Sequence, residues 1–299
     1  MDRGTGGSVL ATMWYLTPLQ EYKTTKPYVI NVPQSAVPGG KQTNKASKPY
    51  HGCVMTDMRP SLGSFSLDKN GFEVLHGMTS TLATSESYDN TDRVRDIYCE
   101  EVADRLREFL GAELALTLGH SVRRRDPSFP SKPRGDKESK NTQPIPGVHV
   151  DYTPAWAFKN ACMALGEDMA TEAFNSRRVQ IINTWRPLFG PLHDWPLGLL
   201  DYTSLDPAND LVATDSVYPH IVSETYNVLH NDKHKWYYLS EQQPSEMFLF
   251  KSFDNLFGAE EGTASVCVHG AFDNPLCPPG ARPRESVECL VMVVYPESK

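Results

Sequence analysis

The 299-residue sequence contains no run approaching the ~20 consecutive apolar residues of a membrane-spanning helix, and no basic-then-apolar leader opens it. A soluble, cytoplasmic protein is the expectation. Positive charge is in deficit: 29 Lys and Arg stand against 37 Asp and Glu, for a formal net charge of −8. That balance argues against nucleic acid or an anionic membrane as partner, so a small-molecule substrate is expected, with a homodimer left open. The six cysteines (Cys53, Cys99, Cys162, Cys267, Cys277, Cys289) include no CxxC pair, which argues against a zinc ribbon and a dense disulfide scaffold. They read as reduced, core-packing residues. No GxSxG elbow and no phosphate-binding glycine loop is present, so serine hydrolase and nucleotide-dependent readings fall away. No internal repeat appears, and the length suits one elaborated domain over 1–299.

What is present is mainly strand-like. Strands are expected at Tyr28–Val32, Cys53–Met58, Phe65–Leu67, Phe72–Leu75, Leu114–Leu118, Val179–Trp185 and Met247–Phe253, with an Asn70-Gly71 hairpin turn before Phe72. A second hairpin is expected around Asn231–Lys233, and the Lys-rich stretch from Gly39 to Pro49 reads as a solvated loop. One long helix runs from a Thr91 or Asp92 cap to a Gly111 stop, and a second follows Thr153-Pro154. Many strands with few helices favour an antiparallel double-sheet barrel with a mouth able to hold a metal. Residues 123–140 carry seven basic against three acidic side chains and no apolar periodicity, which predicts a mobile lid near the active-site mouth.

Within this frame, Val266–His269 and Ser286–Val293 alternate as two strands flanking a Pro/Gly loop. His269 then ends one strand, while Arg284 and Ser286 open the next. A metal ligand and an anion-binding arginine on adjacent strands suit a pocket for iron and a keto acid. His149 and Asp151, two apart on a strand, point to one side and complete a 2-His-1-carboxylate set with positions left open for cosubstrate and dioxygen. The similar His230-Asn231-Asp232 lies in a predicted turn and ranks below it. His234, four residues from His230, leaves a zinc-dependent hydrolase as an alternative, without a helical HExxH pattern to support it. A non-catalytic jelly-roll binding protein is the remaining rival. Tyr152, Trp156, Trp185 and Trp195 are pocket-wall candidates.

The ordered set His120-Ser-Val-Arg-Arg-Arg-Asp-Pro, Val148-His-Val-Asp-Tyr-Thr-Pro, Asn183-Thr-Trp-Arg-Pro-Leu, Asp194-Trp-Pro-Leu, Phe250-Lys-Ser-Phe-Asp, His269-Gly-Ala-Phe-Asp-Asn-Pro and Arg284-Glu-Ser-Val-Glu resembles the gibberellin-desaturase-like and cephalosporin 7α-methoxylase-like oxygenases of secondary metabolism. The resemblance spans about residues 50 to 295. It implies a mainly β fold with flanking helices around a double-stranded β-helix (jelly-roll, cupin-like) core, with Fe(II) as cofactor and 2-oxoglutarate and O2 as cosubstrates. It further implies that His149, Asp151 and His269 are the iron ligands, and that Arg284 and Ser286 hold the distal carboxylate of 2-oxoglutarate. Arg186, after a strong strand, is the competing anchor, with Arg282 a further one. The reaction implied is hydroxylation, desaturation or oxidative ring formation at an aliphatic C–H of a small secondary metabolite. The 117 residues between Asp151 and His269 place an insertion around 185–215.

Overall fold

The structure, a computed structural model, describes residues 7–37, 39–128, 143–256 and 262–297. Fourteen strands are formed among them: β1 (Val9–Leu16), β2 (Tyr28–Ile30), β3 (Ser47–Asp57), β4 (Phe72–His76), β5 (Leu114–Arg124), β6 (His149–Val150), β7 (Val179–Pro187), β8 (Leu197–Leu200), β9 (Leu211–Val217), β10 (Val222–Val228), β11 (Trp236–Tyr238), β12 (Glu246–Asp254), β13 (His269–Ala271) and β14 (Glu285–Val294). They make a nine-stranded sheet, β1-β3-β11-β8-β13-β6-β10-β9-β2, and a five-stranded sheet, β4-β12-β7-β14-β5. The two face each other as the halves of a jelly roll, a double-stranded β-helix core.

The small sheet is buried on both sides, and its strand alternation says what each side meets. Val287, Cys289, Val291 and Val293 of β14, with Ile182, Met247 and Leu249, pack against Val94, Tyr98, Val102 and Leu106 of the helical stretch over 91–110. The opposite face of β7 and β12 turns Trp185, Phe248 and Phe250 toward Leu197 and Leu199 of the large sheet. At one end of that face the helices Pro154–Leu165 and Glu167–Ser176 cover Val179, Met292 and Val294 through Ala161, Ala170 and Ala173. Small residues there let helix and sheet backbones approach closely.

Several expectations change. The last three residues of the expected Gly39–Pro49 loop begin β3, which pairs with β1 and tolerates Pro49 opposite Trp14. Phe65–Leu67 is not a strand, and Asn70-Gly71 is not a hairpin: Leu67–Asn70 is one helical turn capped by Ser66 and closed by Gly71 at φ 84°. Asn90, rather than Thr91 or Asp92, caps the long helix through its side chain, and Gly111 ends it at φ 65°. The hairpin lies between β9 and β10, whereas β11 pairs with β3 and β8, so Asn231–Lys233 is a crossover loop. His269 opens β13 instead of ending a strand, and β13 and β14 lie in opposite sheets, not side by side. Of the expected lid, Arg123 and Arg124 belong to β5, and residues 129–140 fall outside the described residues. Within the stretch 185–215, Leu197–Leu200 forms β8 in the middle of the large sheet.

Candidate metal centre

His149 and His269 are register partners on β6 and β13, which sets the two imidazoles side by side with ring centroids 4.4 Å apart. Asp151, in the bend just after β6, reaches both: Oδ1 lies 3.4 Å from His149 Nε2, and Oδ2 lies 3.7 Å from His269 Nε2. One ligand atom from each of the three falls within 4.8 Å of the others, and no other such group of three is found among the described residues. They line one pocket together with Arg123, Trp185, Arg284 and Glu288.

The surrounding hydrogen bonds aim these groups. His149 Nδ1 donates to the Gly147 carbonyl at 2.7 Å and His269 Nδ1 to the Cys267 carbonyl at 3.3 Å, which turns both Nε2 atoms toward Asp151. Asn183, projecting from β7, donates to Asp151 Oδ2 at 2.6 Å and to Glu288 Oε1 at 3.0 Å. Ser252 fixes the amide by donating to Asn183 Oδ1 at 2.6 Å. The Phe250 ring lies 4.7 Å from His269.

Electrostatics leave the trio ready for a cation. Burial alone would raise the Asp151 carboxyl, but the adjacent His149 and His269 side chains and the Asn183 amide hold it well below the usual carboxylate range. Burial, then the neighbouring His149, push His269 down to about 4. An ionised carboxylate and a neutral imidazole are the protonation states a metal requires. Two imidazole nitrogens and one carboxylate on one side of a pocket fit Fe(II) with positions to spare.

Arg284 enters the same pocket from the small sheet, and with Ser286 is almost wholly buried, at 2% and 1% exposure. Its backbone N–H donates to Asp194 Oδ2 and its Nη1 to the Trp195 carbonyl, both at 2.8 Å, while its guanidinium lies 5.2 Å from the Trp185 ring centroid. Among the described residues Arg284 Nε and Ser286 Oγ have no hydrogen-bond partner, two buried donors side by side that suit an anionic acceptor. Burial, and after it the Arg123 charge, push Arg284 down to about 9, so it remains a cation at neutral pH. Arg186 is not brought to this cluster. It lies among the helix-side residues, donating to Tyr98 Oη at 3.0 Å, Tyr88 Oη at 2.5 Å and the Pro244 carbonyl at 2.9 Å. Arg282 pairs with Glu285 at the surface.

Of the expected walls, Trp185 lines the pocket and Trp195 contributes its carbonyl to Arg284. Tyr152, with Trp156 beside it, packs instead with Ala157, Ile181 and Phe253. His230 stacks on Tyr50 at 3.9 Å, and His234 is held between Tyr15 Oη and Asp210, and among the described residues neither belongs to a group of three metal-ligating side chains. Asn183, Glu288 and Asp194 were missed as site residues. An amide after Ile181-Ile182 in β7 and a carboxylate between Val287 and Cys289 in β14, each set in a mostly apolar strand, were the available signals for the first two.

A family model described as "Oxidoreductase/YMDC permease-like domain" matches residues 13–294. Among the described residues no helix is long and apolar enough to cross a membrane. The hydroxylase/desaturase efuI of Hormonema carpetanum is 32% identical over 254 residues, covering 80% of this chain and 82% of that protein. The Fe(II)/2-oxoglutarate-dependent dioxygenase nvfI of Aspergillus novofumigatus is 29% identical over 85% of this chain and 87% of its own length. A solved structure of the iron and alpha-ketoglutarate-dependent endoperoxidase NvfI superposes with a TM-score of 0.82 at 27% identity, covering 97% of this chain and 99% of that one.

Proposed function

The chain belongs to the Fe(II)/2-oxoglutarate-dependent oxygenases of secondary metabolism, and from that premise we propose that His149, Asp151 and His269 hold its iron while Arg284 and Ser286 anchor 2-oxoglutarate. The observation that carries the assignment is the meeting of three ligand atoms within 4.8 Å, in a pocket whose opposite wall is a buried, half-partnered arginine. Bound Fe(II), with 2-oxoglutarate and O2, supplies the oxidising power to remove hydrogen from an aliphatic C–H bond, with succinate and CO2 as coproducts. Hydroxylation, desaturation and ring formation are the outcomes open to such an enzyme, and the substrate is a small secondary metabolite.

The protein's own residues orient the reactants. The Gly147 and Cys267 carbonyls fix which imidazole nitrogen is presented, and Asn183 prevents Asp151 from swinging away. Trp185 and Phe250 give the site apolar walls that exclude water. Arg284, braced by Asp194 and Trp195, offers Nε toward the distal carboxylate, with Ser286 Oγ as a second donor. A single domain spanning 1–299 and a cytoplasmic location accompany this reading.

Replacing His149, Asp151 or His269 singly by alanine should remove stoichiometric iron and succinate formation while leaving the fold, followed by circular dichroism, intact. Normal iron and turnover in His269→Ala would overturn the assignment.

A further inference from the structure

Seven buried side-chain nitrogen and oxygen atoms have no hydrogen-bond partner among the described residues, and they divide by chemistry. Asn227 Oδ1 and Gln242 Oε1 are acceptors. The five that can donate are Ser121 Oγ, Gln143 Nε2, Trp195 Nε1, Arg284 Nε and Ser286 Oγ. All five belong to residues that touch, or lie beside in the sheet register, one of two arginines. Trp195 accepts from Arg284, and the Gln143 carbonyl accepts from Arg123 Nη1 at 3.2 Å. In the β5–β14 pairing Arg123 stands directly opposite Ser286, and Ser121, two residues before it, shares its face opposite Glu288. Opposed residues of an antiparallel pair project side by side from one face, and Arg284, two positions from Ser286, is the diagonal neighbour.

Both guanidinium groups line the same pocket, yet Arg123 forms no ion pair among the described residues, and the nearby Glu288 carboxylate is engaged by Asn183 instead. Apart from Asp151, Glu288 is the one carboxylate lining the pocket beside both cations, and with one oxygen taken by Asn183 it leaves the five donors without acceptors among the described residues, an arrangement that a further anion between the arginines would complete. A carboxylate offers about four lone-pair sites. Arg284 turns its Nη1 to the Trp195 carbonyl, so its planar fork is not wholly free for a bidentate grip, and a second guanidinium on the neighbouring strand can take the remaining lone pairs.

We propose that Arg123 is the second arm of the 2-oxoglutarate site, gripping the same distal carboxylate as Arg284 from the neighbouring strand, with Ser286 between them. This rests on the Fe(II)/2-oxoglutarate reading of the pocket and deepens it. A two-arginine grip makes the site selective for a dicarboxylic 2-oxo acid over a monocarboxylic one of equal length, because only the former supplies the charge that both guanidinium groups face.

The test is anaerobic calorimetric titration of the Fe(II) protein with 2-oxoglutarate and with 2-oxopentanoate, which keeps the chelating end and lacks the distal carboxylate. Arg123→Gln should bind 2-oxoglutarate about 10- to 100-fold more weakly while its affinity for 2-oxopentanoate is unchanged. Arg123→Lys, which keeps the charge but not the planar fork, should show a smaller selective loss, and it carries the same comparison if the glutamine variant is unstable. Equal weakening of both acids, or of neither, would overturn the role given to Arg123. Failure of the underlying reading looks different: the unsubstituted Fe(II) protein would then bind 2-oxoglutarate no more tightly than 2-oxopentanoate.

Discussion

Asn183 shows how much of this site depends on a residue that holds no metal itself. Its amide links Asp151 and Glu288 and is in turn held by Ser252, so Asn183→Ala frees one Asp151 oxygen and leaves Glu288 without its donor. Fe(II) affinity should fall by about 10- to 100-fold, read by metal titration, with the fold retained. His269 yields a pH dependence of definite sign. Its folded value is about 4, against about 6.5 in an unfolded chain, so between these values the unfolded state binds the proton and the folded state does not. The stability of the metal-free protein should therefore rise with pH across that window and be lost as pH falls through it. Urea midpoints measured between about pH 4.5 and pH 7 should show this slope, flattened in His269→Ala. The closeness of His149 and Asp151 was legible because residues two apart in an extended segment point to one side, and it holds although Asp151 lies in the bend just past β6 rather than on the strand. Arg186 against Arg284 was not legible, since both follow or open strands. Only the pairing of β7 with β14 puts Arg186 on the helix side and leaves Arg284 with the pocket.

Elements were readable where local chemistry decides and misread where partners decide. Gly111 and Thr153-Pro154 mark helix ends by conformational demands that no distant residue supplies, and both do so in the structure. By contrast, the Asn70-Gly71 pair has the left-handed glycine expected of a turn but closes a helical turn, because Ser66 caps the preceding residues. The two glycines make a paired test. An alanine at 111 meets open space and has only the backbone conformation to overcome, whereas a Cβ at 71 would lie 2.7 Å from the Val266 carbonyl oxygen. Gly111→Ala should cost about 1 kcal/mol and Gly71→Ala about 3 kcal/mol or more in denaturant unfolding. Equal losses would show that the approach of the Val266 segment to Gly71 is not as tight as described.

At the scale of the whole molecule, the two sheets contribute different parts of the chemistry. The paired histidines His149 and His269 come from β6 and β13 of the large sheet, whereas Asn183, Trp185, Arg284 and Ser286 come from the side of the small one. Sequence adjacency concealed this: β13 and β14 follow each other along the chain yet face each other across the barrel, and a one-dimensional pattern carries no record of which sheet a strand joins. The fold class survived that error because strand count and alternation do not depend on it. On the proposed assignment, 2-oxoglutarate would be held by residues of both sheets, the trio on one wall and Arg284 with Ser286 on the other. Anaerobic titration of the Fe(II) protein with 2-oxoglutarate, following the metal-to-ligand charge-transfer band, measures both contacts at once. The unsubstituted protein should saturate at one equivalent. Arg284→Gln should keep its iron and lose about 2–5 kcal/mol of cosubstrate binding, roughly 30-fold to several thousand-fold in affinity. No band in the unsubstituted protein, or undiminished affinity in Arg284→Gln, would contradict the account.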